Sequence, residues 1–258
     1  MIEIAETDST NTELRRLLES DPKLPSWTTL RADFQTGGRG QRGNSWESNR
    51  GENISLSSWI VVDQEPSLFP PFDLVIVTSL TVASLVREYL PAADVTIKWP
   101  NDIYVYDRKI AGILIENEWE GNRLRGAIFG IGLNVYQKKF VNAPNPTSIA
   151  LEVGDSSLLP DLPTLSLQLI DYLQAEYERL LSCPQDSRER YHEMLYRRDG
   201  KAHPFEERTV PPRSFRATIL GVDLNGKLHL RDEESGAELS YAFKELGYYL
   251  QGRPEYKP

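Results

Sequence analysis

The chain has 258 residues, of which 40% are hydrophobic and 26% charged, enough for one large domain or for one domain with a small companion. Its formal net charge of −9 argues against non-specific binding to nucleic acid or to anionic membranes, because both need a basic surface. A single cysteine, Cys183, excludes an intrachain disulfide and suits a reducing compartment. The first residues lack the basic and apolar regions of a signal peptide, so we predict a cytoplasmic protein.

The predicted elements begin with a strand at residues 2–5 and a helix whose leucines at 14, 17 and 18 share one face. Thr10 and Glu13 fit a capping box at the start of this helix. Ser9, Thr10 and Asn11 stand together at the strand-to-helix junction, although one of them would suffice as a cap. Three such side chains also suit a small polar ligand, because a helix start exposes unpaired backbone amides.

A loop rich in glycine and arginine, residues 35–46, lies between two strand-like segments at 27–34 and 53–62. Glycine permits unusual turns and close approach of the backbone to a ligand. Arg39 and Arg42 offer donors for phosphate or carboxylate, and Trp46 offers a flat apolar face. The alternative is a solvated surface loop, since short glycine-rich matches often occur by chance.

A buried helix is predicted over residues 72–89. Arg87 and Glu88 interrupt this apolar segment, so a membrane span is excluded. A short strand at 95–99 then leads into the segment Lys98-Trp-Pro-Asn-Asp102. Its proline ends regular pairing, so the segment is a strand end or bulge, with a type I turn as the alternative.

Residues 103–116 predict a hairpin that turns at Asp107-Arg108. Lys109 begins its second, buried strand, which is costly unless the ammonium reaches water or an anion. Gly112 in the middle of that strand suggests close approach by a ligand or another backbone. The sheet continues to Asn134, whose amide can both donate to and accept from the edge of a heterocycle.

The rest of the chain changes character near residue 200. A short helix is predicted after Asn145 or Thr147 as its cap, and amphipathic helices at 165–181 and 188–195. A polar stretch interrupted by prolines follows. Three segments in which apolar and polar residues alternate then predict strands at residues 215–220, 227–231 and 238–243, separated by tight turns. This small all-β module is short for a core of its own and is expected to lean on the main domain. We therefore predict domains at 1–198 and 199–258.

Six motifs, in their order and spacing, resemble the biotin–protein ligases, also called biotin–[acetyl-CoA-carboxylase] ligases, from about residue 2 to residue 250. The motifs are Asp8-Ser-Thr-Asn11, Gln35, Gly38-Arg-Gly-Gln-Arg-Gly-Asn-Ser-Trp46, Lys98-Trp-Pro-Asn-Asp102, Arg108-Lys-Ile-Ala-Gly-Ile-Leu-Ile-Glu116 and Gly130-Ile-Gly-Leu-Asn134. The resemblance implies an α+β fold: a mixed β-sheet backed by helices, of the class II synthetase-like type, followed by a small SH3-like β-barrel domain.

The resemblance also implies a two-step reaction. Biotin and ATP are the substrates, Mg²⁺ accompanies ATP, and biotinyl-5′-AMP is the intermediate. The acceptor is a lysine of a biotin carboxyl carrier domain. The physical requirement is to hold two anions together and to relieve the negative charge that gathers at phosphorus and carbonyl carbon.

By the same resemblance, each substrate has an expected set of residues. Catalytic roles are expected for Lys109, Arg39 and Asp102. Biotin is expected at Ser9, Thr10, Asn11, Gln35, Arg39, Gly40, Gln41, Lys109 and Gly112. ATP and the adenylate are expected at Arg39, Arg42, Trp46, Lys98, Asn101, Lys109 and Asn134. No residue is assigned to a metal.

Two departures from the family pattern bear on function. Many relatives carry arginine where Gln41 and Asn44 stand, so this loop has less positive charge near the intermediate. Regulatory members carry an N-terminal helix-turn-helix, and here the catalytic region begins at the first residues. We therefore expect a monofunctional ligase that neither represses transcription nor binds nucleic acid or membranes, and we leave a homodimer open.

The sequence disfavours three other functions. A lipoate–protein ligase shares the fold and the chemistry, but its Arg-Arg…Gly-Gly-Gly loop followed by His-Asp is absent from this sequence. A non-catalytic binding protein on the same fold is disfavoured by the presence of Lys109, Arg39 and Asn134. A nucleic-acid-binding role for the β-module is disfavoured because it lacks a basic patch and a stacking array of aromatics.

Overall fold

A computed structural model describes residues 1–41, 44–62, 70–250 and 253–254. The first sheet in this part of the chain has seven strands in the order β1-β2-β3-β7-β6-β5-β4. They are β1 (Ile2–Ile4), β2 (Thr28–Ala32), β3 (Asn53–Val61), β4 (Val95–Lys98), β5 (Asp102–Val105), β6 (Arg108–Glu120) and β7 (Arg123–Asn134). Strands β1 and β2 are parallel and the other neighbours antiparallel, so the sheet is mixed, as predicted.

Helices back this sheet. They are α1 (Thr10–Ser20), α2 (Phe72–Tyr89), α3 (Ile149–Glu152), α4 (Leu162–Ser182) and α5 (Pro184–Glu193), with a 3₁₀ turn at Ser156–Leu158. Helix α2 is buried along most of its length and packs against α4 and α5. Its bounds are those predicted from its apolar run. No helix within the described ranges is long and apolar enough to cross a membrane.

Helix starts were predicted less well than helix bodies. Helix α4 begins at Leu162, earlier than predicted, because Asp161 accepts a hydrogen bond from Thr164 N at 2.9 Å. The predicted caps of α3, Asn145 and Thr147, are wrong: its N-cap is Ser148, whose hydroxyl accepts from a backbone amide of the first turn. A run of polar residues does not by itself show which one caps.

A second sheet follows, antiparallel throughout, in the order β11-β10-β9-β8-β12-β13. Its strands are β8 (His203–Glu207), β9 (Arg213–Val222), β10 (Leu228–Asp232), β11 (Glu238–Tyr241), β12 (Leu246–Leu250) and β13 (Arg253–Pro254). This sheet confirms the small C-terminal β region and, with the first, the predicted α+β fold class. Strand β8 was not predicted, because Pro204 suggested a break. Strand β12 pairs with β8 only from Phe205 onward, so the N–H that Pro204 lacks is not needed for pairing with β12.

The two sheets share one apolar core. A single cluster of buried residues contains side chains from the first sheet, such as Ile97 and Ile103, and from the second, such as Phe205 and Ile219. The β-module therefore packs on the main sheet, as its small size predicted. The boundary between 198 and 199 remains a prediction.

The turn between β9 and β10 makes a specific contact across the two sheets. Gly226 has φ +80°, and a Cβ placed there would overlap Cδ2 of the Phe72 ring on α2. Its carbonyl accepts a hydrogen bond from Trp99 Nε1 at 2.9 Å. Glycine satisfies both the backbone conformation and the close packing. This contact holds the segment that follows β4 in place.

Candidate active site

A buried polar network lies where α1 begins against β3. Gln35 Oε1 accepts from Thr10 N at 2.8 Å and from Thr10 Oγ1 at 3.1 Å. Ser57 Oγ lies 2.7 Å from Thr10 Oγ1 and 2.6 Å from Asn11 Oδ1. The predicted capping box is therefore wrong: Ser9 is the N-cap, without a side-chain hydrogen bond, and the Thr10 hydroxyl serves this network instead. Three residues predicted for one ligand, Thr10, Asn11 and Gln35, thus meet at one place.

Glu116 connects this network to the glycine loop. Its Oε2 accepts from Asn11 Nδ2 at 3.0 Å, and its Oε1 lies 3.3 Å from Arg39 Nη2. Arg15 Nη2 lies 3.6 Å away on the other side. Sequence reasoning assigned no role to Glu116 or Ser57. The available signal was polar residues within otherwise buried strands, which need partners.

The glycine loop folds back on itself at its ends. Gly40 N donates to Asn44 O at 2.6 Å, and Trp46 N donates to Gly38 O at 2.8 Å. A Cβ at Gly38 would lie 2.7 Å from Trp46 O, so the close pairing requires glycine. Arg42, predicted for the adenylate, lies outside the described residues.

Trp46 lies over two glycines that pair across β6 and β7. A Cβ at Gly132 would lie 2.5 Å from Trp46 Cε2, and one at Gly112 would lie 3.1 Å from Trp46 Cζ3. The indole Nε1 is buried and has no hydrogen-bond partner among the described residues. The space over Gly112 thus holds an indole here, and the expectation that it receives the bicyclic ring of biotin remains a prediction.

Two cavities, both open to solvent, meet at Trp46. The first contains the polar network. The predicted site residues that line it are Ser9, Thr10, Asn11, Gln35, Arg39, Gly40, Gln41, Trp46, Lys98, Asn101, Asp102, Lys109 and Gly112. The second is lined by Trp46, Asp102, Lys109 and Asn134, together with the loop between β7 and α3. Lys109 and Asp102 border both cavities and so lie at their junction.

The junction carries two lysines and one carboxylate. Lys109 Nζ lies 2.7 Å from Asp102 Oδ1, and Lys98 Nζ lies 3.9 Å from Asp102 Oδ2. The β5–β6 hairpin produces this arrangement, since it pairs Asp102 with Gly112 and Tyr104 with Lys109 around a bulge. Lys109 therefore reaches an anion, as the cost of burying its charge required.

Lys98 is held between aromatic rings of both sheets. Its Nζ lies 5.5 Å from the ring centre of Tyr104 and 5.0 Å from that of Tyr248 in β12, and only 4% of the residue is exposed. Such contacts stabilise a cation removed from water. Arg208 and Lys244, from loops of the C-terminal β region, also line the first cavity. Sequence reasoning missed these residues of the β-module.

The segment between Lys98 and Asp102 is fixed from behind by α5. Tyr191, fully buried, donates its hydroxyl to Pro100 O at 2.7 Å. Burial raises the pKa of Tyr191 well above its ordinary value, so the phenol stays protonated and remains a donor. Asn101 donates from Nδ2 to Ile113 O, which ties the same segment to β6.

Asn134 ends β7 at the wall of the second cavity. Its Nδ2 donates to Thr147 O at 2.9 Å, while its Oδ1 is buried and has no hydrogen-bond partner within the described ranges. Buried polar atoms are nearly always paired in folded proteins. The free acceptor therefore fits a ligand that brings an N–H donor, such as the amino group of a purine.

Comparison with known proteins shows which family this chain is similar to. The model of the biotin/lipoate A/B protein ligase family matches residues 4–134, about half of the chain. The bifunctional ligase/repressor BirA of Escherichia coli (strain K12) is 35% identical over 172 residues, which cover 66% of this chain and 51% of that protein. The biotin–[acetyl-CoA-carboxylase] ligase of Mycobacterium tuberculosis is 31% identical over 175 residues, covering 67% and 62% respectively.

Among solved structures, the biotin protein ligase from Aquifex aeolicus in complex with biotin and ATP superposes with a TM-score of 0.73. The match covers 95% of this chain and 96% of that one at 22% identity, so it shows a shared fold. The chain spans about half the length of the BirA protein of Escherichia coli. On the family match and on this fold, the chain belongs to the biotin/lipoate A/B protein ligase family.

Proposed function

We propose that this protein is a biotin–protein ligase. It joins biotin to ATP, giving biotinyl-5′-AMP and pyrophosphate, and then transfers the biotinyl group to a lysine of a biotin carboxyl carrier domain. The observation that carries this proposal is the buried polar network of Thr10, Asn11, Gln35 and Ser57 at the end of the first cavity. The names of the relatives from Escherichia coli and Mycobacterium tuberculosis support it.

The polar network favours biotin over lipoate. The ureido group of biotin carries two N–H donors and a carbonyl acceptor, which can pair with amide and hydroxyl side chains. The dithiolane of lipoate has neither, so it would leave buried polar groups unpaired. Sites built around hydrogen bonds reject analogues that lack the matching groups by large factors.

The first step needs the biotin carboxylate close to the α-phosphate of ATP. A carboxylate oxygen bonds to phosphorus as the bond to pyrophosphate breaks. Lys109, at the junction of the two cavities, is placed to contact both anions, with Lys98 and Arg39 nearby in the first cavity. The fixed cations offset the repulsion and the charge that develops on phosphorus. Asp102 holds Lys109 in position before the substrates arrive.

In the second step the amine of the acceptor lysine attacks the carbonyl carbon of the mixed anhydride. A C–N bond forms, the C–O bond to AMP breaks, and the amine loses a proton. Asp102 borders both cavities and is the carboxylate that we assign to orient this amine or to take its proton. AMP leaves with the bridging oxygen.

The nucleotide occupies the second cavity in this scheme, with its adenine at Asn134. Mg²⁺ bound with ATP supplies charge neutralisation at the phosphates. No group of three or more acidic, histidine or cysteine side chains fit to hold a metal occurs in the described part of the chain. Mg²⁺ is often held through substrate phosphates and one or two carboxylates.

Partners and location follow from composition. The net charge of −9 supports a protein that acts without nucleic acid or an anionic membrane surface. The single cysteine supports a reducing, cytoplasmic setting.

Biotin-dependent release of pyrophosphate from MgATP tests the proposal. We expect a stoichiometric burst with biotin, sustained turnover once a carrier domain is added, and no burst with lipoate or octanoate. Lys109→Ala should abolish the burst and the turnover, because the cation at the junction is lost. Lys23→Ala, which removes an exposed lysine after α1, is the matched control and should behave as wild type. A burst with lipoate in place of biotin would assign the protein to the other branch of its family.

A further inference from the structure

Glu116 makes a contact that the reaction scheme does not use. It lies in β6, and only 20% of its side chain is exposed. Its Oε2 accepts a hydrogen bond from Asn11 Nδ2, in the first turn of α1, at 3.0 Å. Arg15 and Arg39 lie within 3.6 Å of the carboxylate and balance its charge. A half-buried carboxylate thus has a direct partner in the polar network at the end of the first cavity.

The partners of Asn11 fix which way its amide points. Asn11 Nδ2 donates to Glu116 Oε2 and also to Leu114 O, at 3.3 Å. A carboxylate at neutral pH and a backbone carbonyl have no hydrogen to donate, so both can only accept. The amide nitrogen must therefore face β6, and the amide oxygen, Oδ1, must face Ser57 Oγ at 2.6 Å.

The contacts beyond Asn11 are short of one hydrogen atom. Three oxygen–oxygen contacts follow one another: Asn11 Oδ1 to Ser57 Oγ at 2.6 Å, Ser57 Oγ to Thr10 Oγ1 at 2.7 Å, and Thr10 Oγ1 to Gln35 Oε1 at 3.1 Å. Both end atoms are amide oxygens, which only accept, and Thr10 N holds Gln35 Oε1 in this orientation at 2.8 Å. The two hydroxyl groups bring two hydrogen atoms to three contacts. One pair of oxygens therefore meets without a hydrogen between them.

A turned Asn11 amide would remove this shortage. With Nδ2 towards Ser57, the amide would donate to Ser57, Ser57 to Thr10, and Thr10 to Gln35, so every contact would have its own hydrogen. Oδ1 would then face the Glu116 carboxylate at the distance of 3.0 Å that Nδ2 now occupies, and two acceptors repel each other there. Glu116 therefore keeps the network in the state that lacks a hydrogen.

A ligand can supply the missing hydrogen. Thr10 and Asn11 line the first cavity, so an N–H group bound there can donate to the oxygens of this network. A ligand that brings an acceptor to the same place would add a lone pair where a hydrogen is already lacking. Buried polar networks discriminate strongly between such ligands, because an unpaired polar group costs most where water is excluded.

We propose that Glu116 is a positioning residue that sets the specificity of the first cavity: by fixing the Asn11 amide, it makes the polar network require an N–H donor from the ligand. This inference rests on the proposed function for the identity of that donor, which is an N–H of the ureido group of biotin. Glu116 acts through Asn11 and need not touch the ligand.

Glu116→Gln tests this role with almost no change in size. The glutamine can donate to Asn11 Oδ1, so the turned amide is no longer repelled. Turning the amide exchanges the bond to Leu114 O at 3.3 Å for a hydrogen between two oxygens 2.7 Å apart, and the free protein should favour this exchange. Glu118→Gln is the matched control, because it removes the same charge two residues along β6 from a carboxylate that pairs with Arg15.

The first measurement is calorimetric titration with biotin and with its two cyclic carbamate analogues, in each of which oxygen replaces one ureido N–H. Wild type should bind at least one analogue about 30-fold more weakly than biotin. In Glu116→Gln, biotin affinity should fall about tenfold and this ratio should shrink to about threefold. Any effect of the lost charge on Arg39 cancels from the ratio, because all three ligands carry the same carboxylate. An unchanged ratio in Glu116→Gln, an equal loss in Glu118→Gln, or a wild type that does not discriminate overturns the proposal.

Steady-state pyrophosphate release separates the two substrates. In Glu116→Gln the KM for biotin should rise about tenfold, while the KM for ATP should change by less than about twofold. Glu118→Gln should match wild type in both. A parallel rise of both KM values in Glu116→Gln would show a general disturbance of the site and overturns the proposal.

The orientation of the Asn11 amide can be measured without any ligand. In nuclear Overhauser spectra, the side-chain N–H protons of Asn11 should lie nearest to Leu114 in wild type and nearest to Ser57 in Glu116→Gln. If wild type neither binds biotin nor releases pyrophosphate with it, the proposed function fails, while a turned amide in Glu116→Gln still upholds the role of Glu116 and an unturned one refutes it. If Glu116→Gln does not fold, wild type decides: N–H protons nearest to Ser57 refute the proposal, and protons nearest to Leu114 together with the discrimination against an analogue uphold it.

Discussion

Replacing Gly130 by alanine offers a sharp test of the biotin site. Gly130 lies in β7 opposite the start of α1, and an added Cβ would overlap Asn11 Oδ1 and lie 2.9 Å from its Cγ and 3.0 Å from its Nδ2. Only 3% of Asn11 is exposed, so its side chain has no free space to move into. The substitution therefore displaces the amide that we assign to the ureido group, without adding any charge or polar atom.

The cost has two parts. Asn11 gives up its contacts with Ser57 Oγ at 2.6 Å and Glu116 Oε2 at 3.0 Å, and a buried polar group left unpaired costs about 1–3 kcal/mol. Overpacking in a tight core costs a similar amount. For binding, loss of the aligned amide at about 2 kcal/mol predicts that biotin affinity falls roughly 30-fold.

The assay is calorimetric titration with biotin, with ATP titrated separately and thermal unfolding recorded alongside. ATP affinity without biotin should stay within about twofold, because the second cavity does not include Gly130. Gly221→Ala is the control, since its added Cβ would meet its nearest neighbour, the ring of His192, at 3.6 Å, an ordinary contact. A Gly130→Ala protein that is folded and binds biotin as tightly as wild type would refute the assignment of this network to biotin.

Two further substitutions probe the junction. Tyr248→Leu removes a ring 5.0 Å from Lys98 Nζ, a contact worth about 2 kcal/mol for a desolvated cation, and should lower kcat/KM for ATP about 30-fold. Tyr248→Phe keeps the ring and should keep most of the rate. Equal losses in both variants would mean that the ring is not the cause. Gly132→Ala should drive the Trp46 indole out of its place, since the added Cβ would lie 2.5 Å from Cε2. Acrylamide should then quench tryptophan fluorescence more strongly than in wild type, and this difference should vanish when both proteins also carry Trp46→Phe.

Much of the site could be predicted because its motifs impose local constraints. The bounds of α2 followed from an apolar run, and the glycines of the 35–46 loop signalled close backbone approach, which Gly38 shows. Lys109 at the start of a buried strand required an anion, and the structure supplies Asp102 at 2.7 Å. In each case the residues that show the feature in the sequence lie close along the chain to the residues that they contact.

What could not be predicted depends on partners distant in sequence. Thr10 fits a capping box locally, but Gln35 and Ser57 engage its hydroxyl in the folded chain. Glu47 looks like any surface glutamate until the loop between β7 and α3 is placed against it. Tyr248 belongs to a strand with no clear alternation, and its role arises only because the second sheet packs against the first. The sequence contains these residues without indicating their neighbours.

The setting of Lys98 has a consequence for how such proteins diversify. One wall of its aromatic enclosure comes from the first sheet and the other from the second. The C-terminal module therefore cannot be replaced by an unrelated β domain without loss of this contact. A substitute that folded well but offered no ring at the position of Tyr248 would leave a buried ammonium without half of its enclosure. A substitution of Tyr248 in β12 is thus expected to be tolerated better where Lys98 is also replaced.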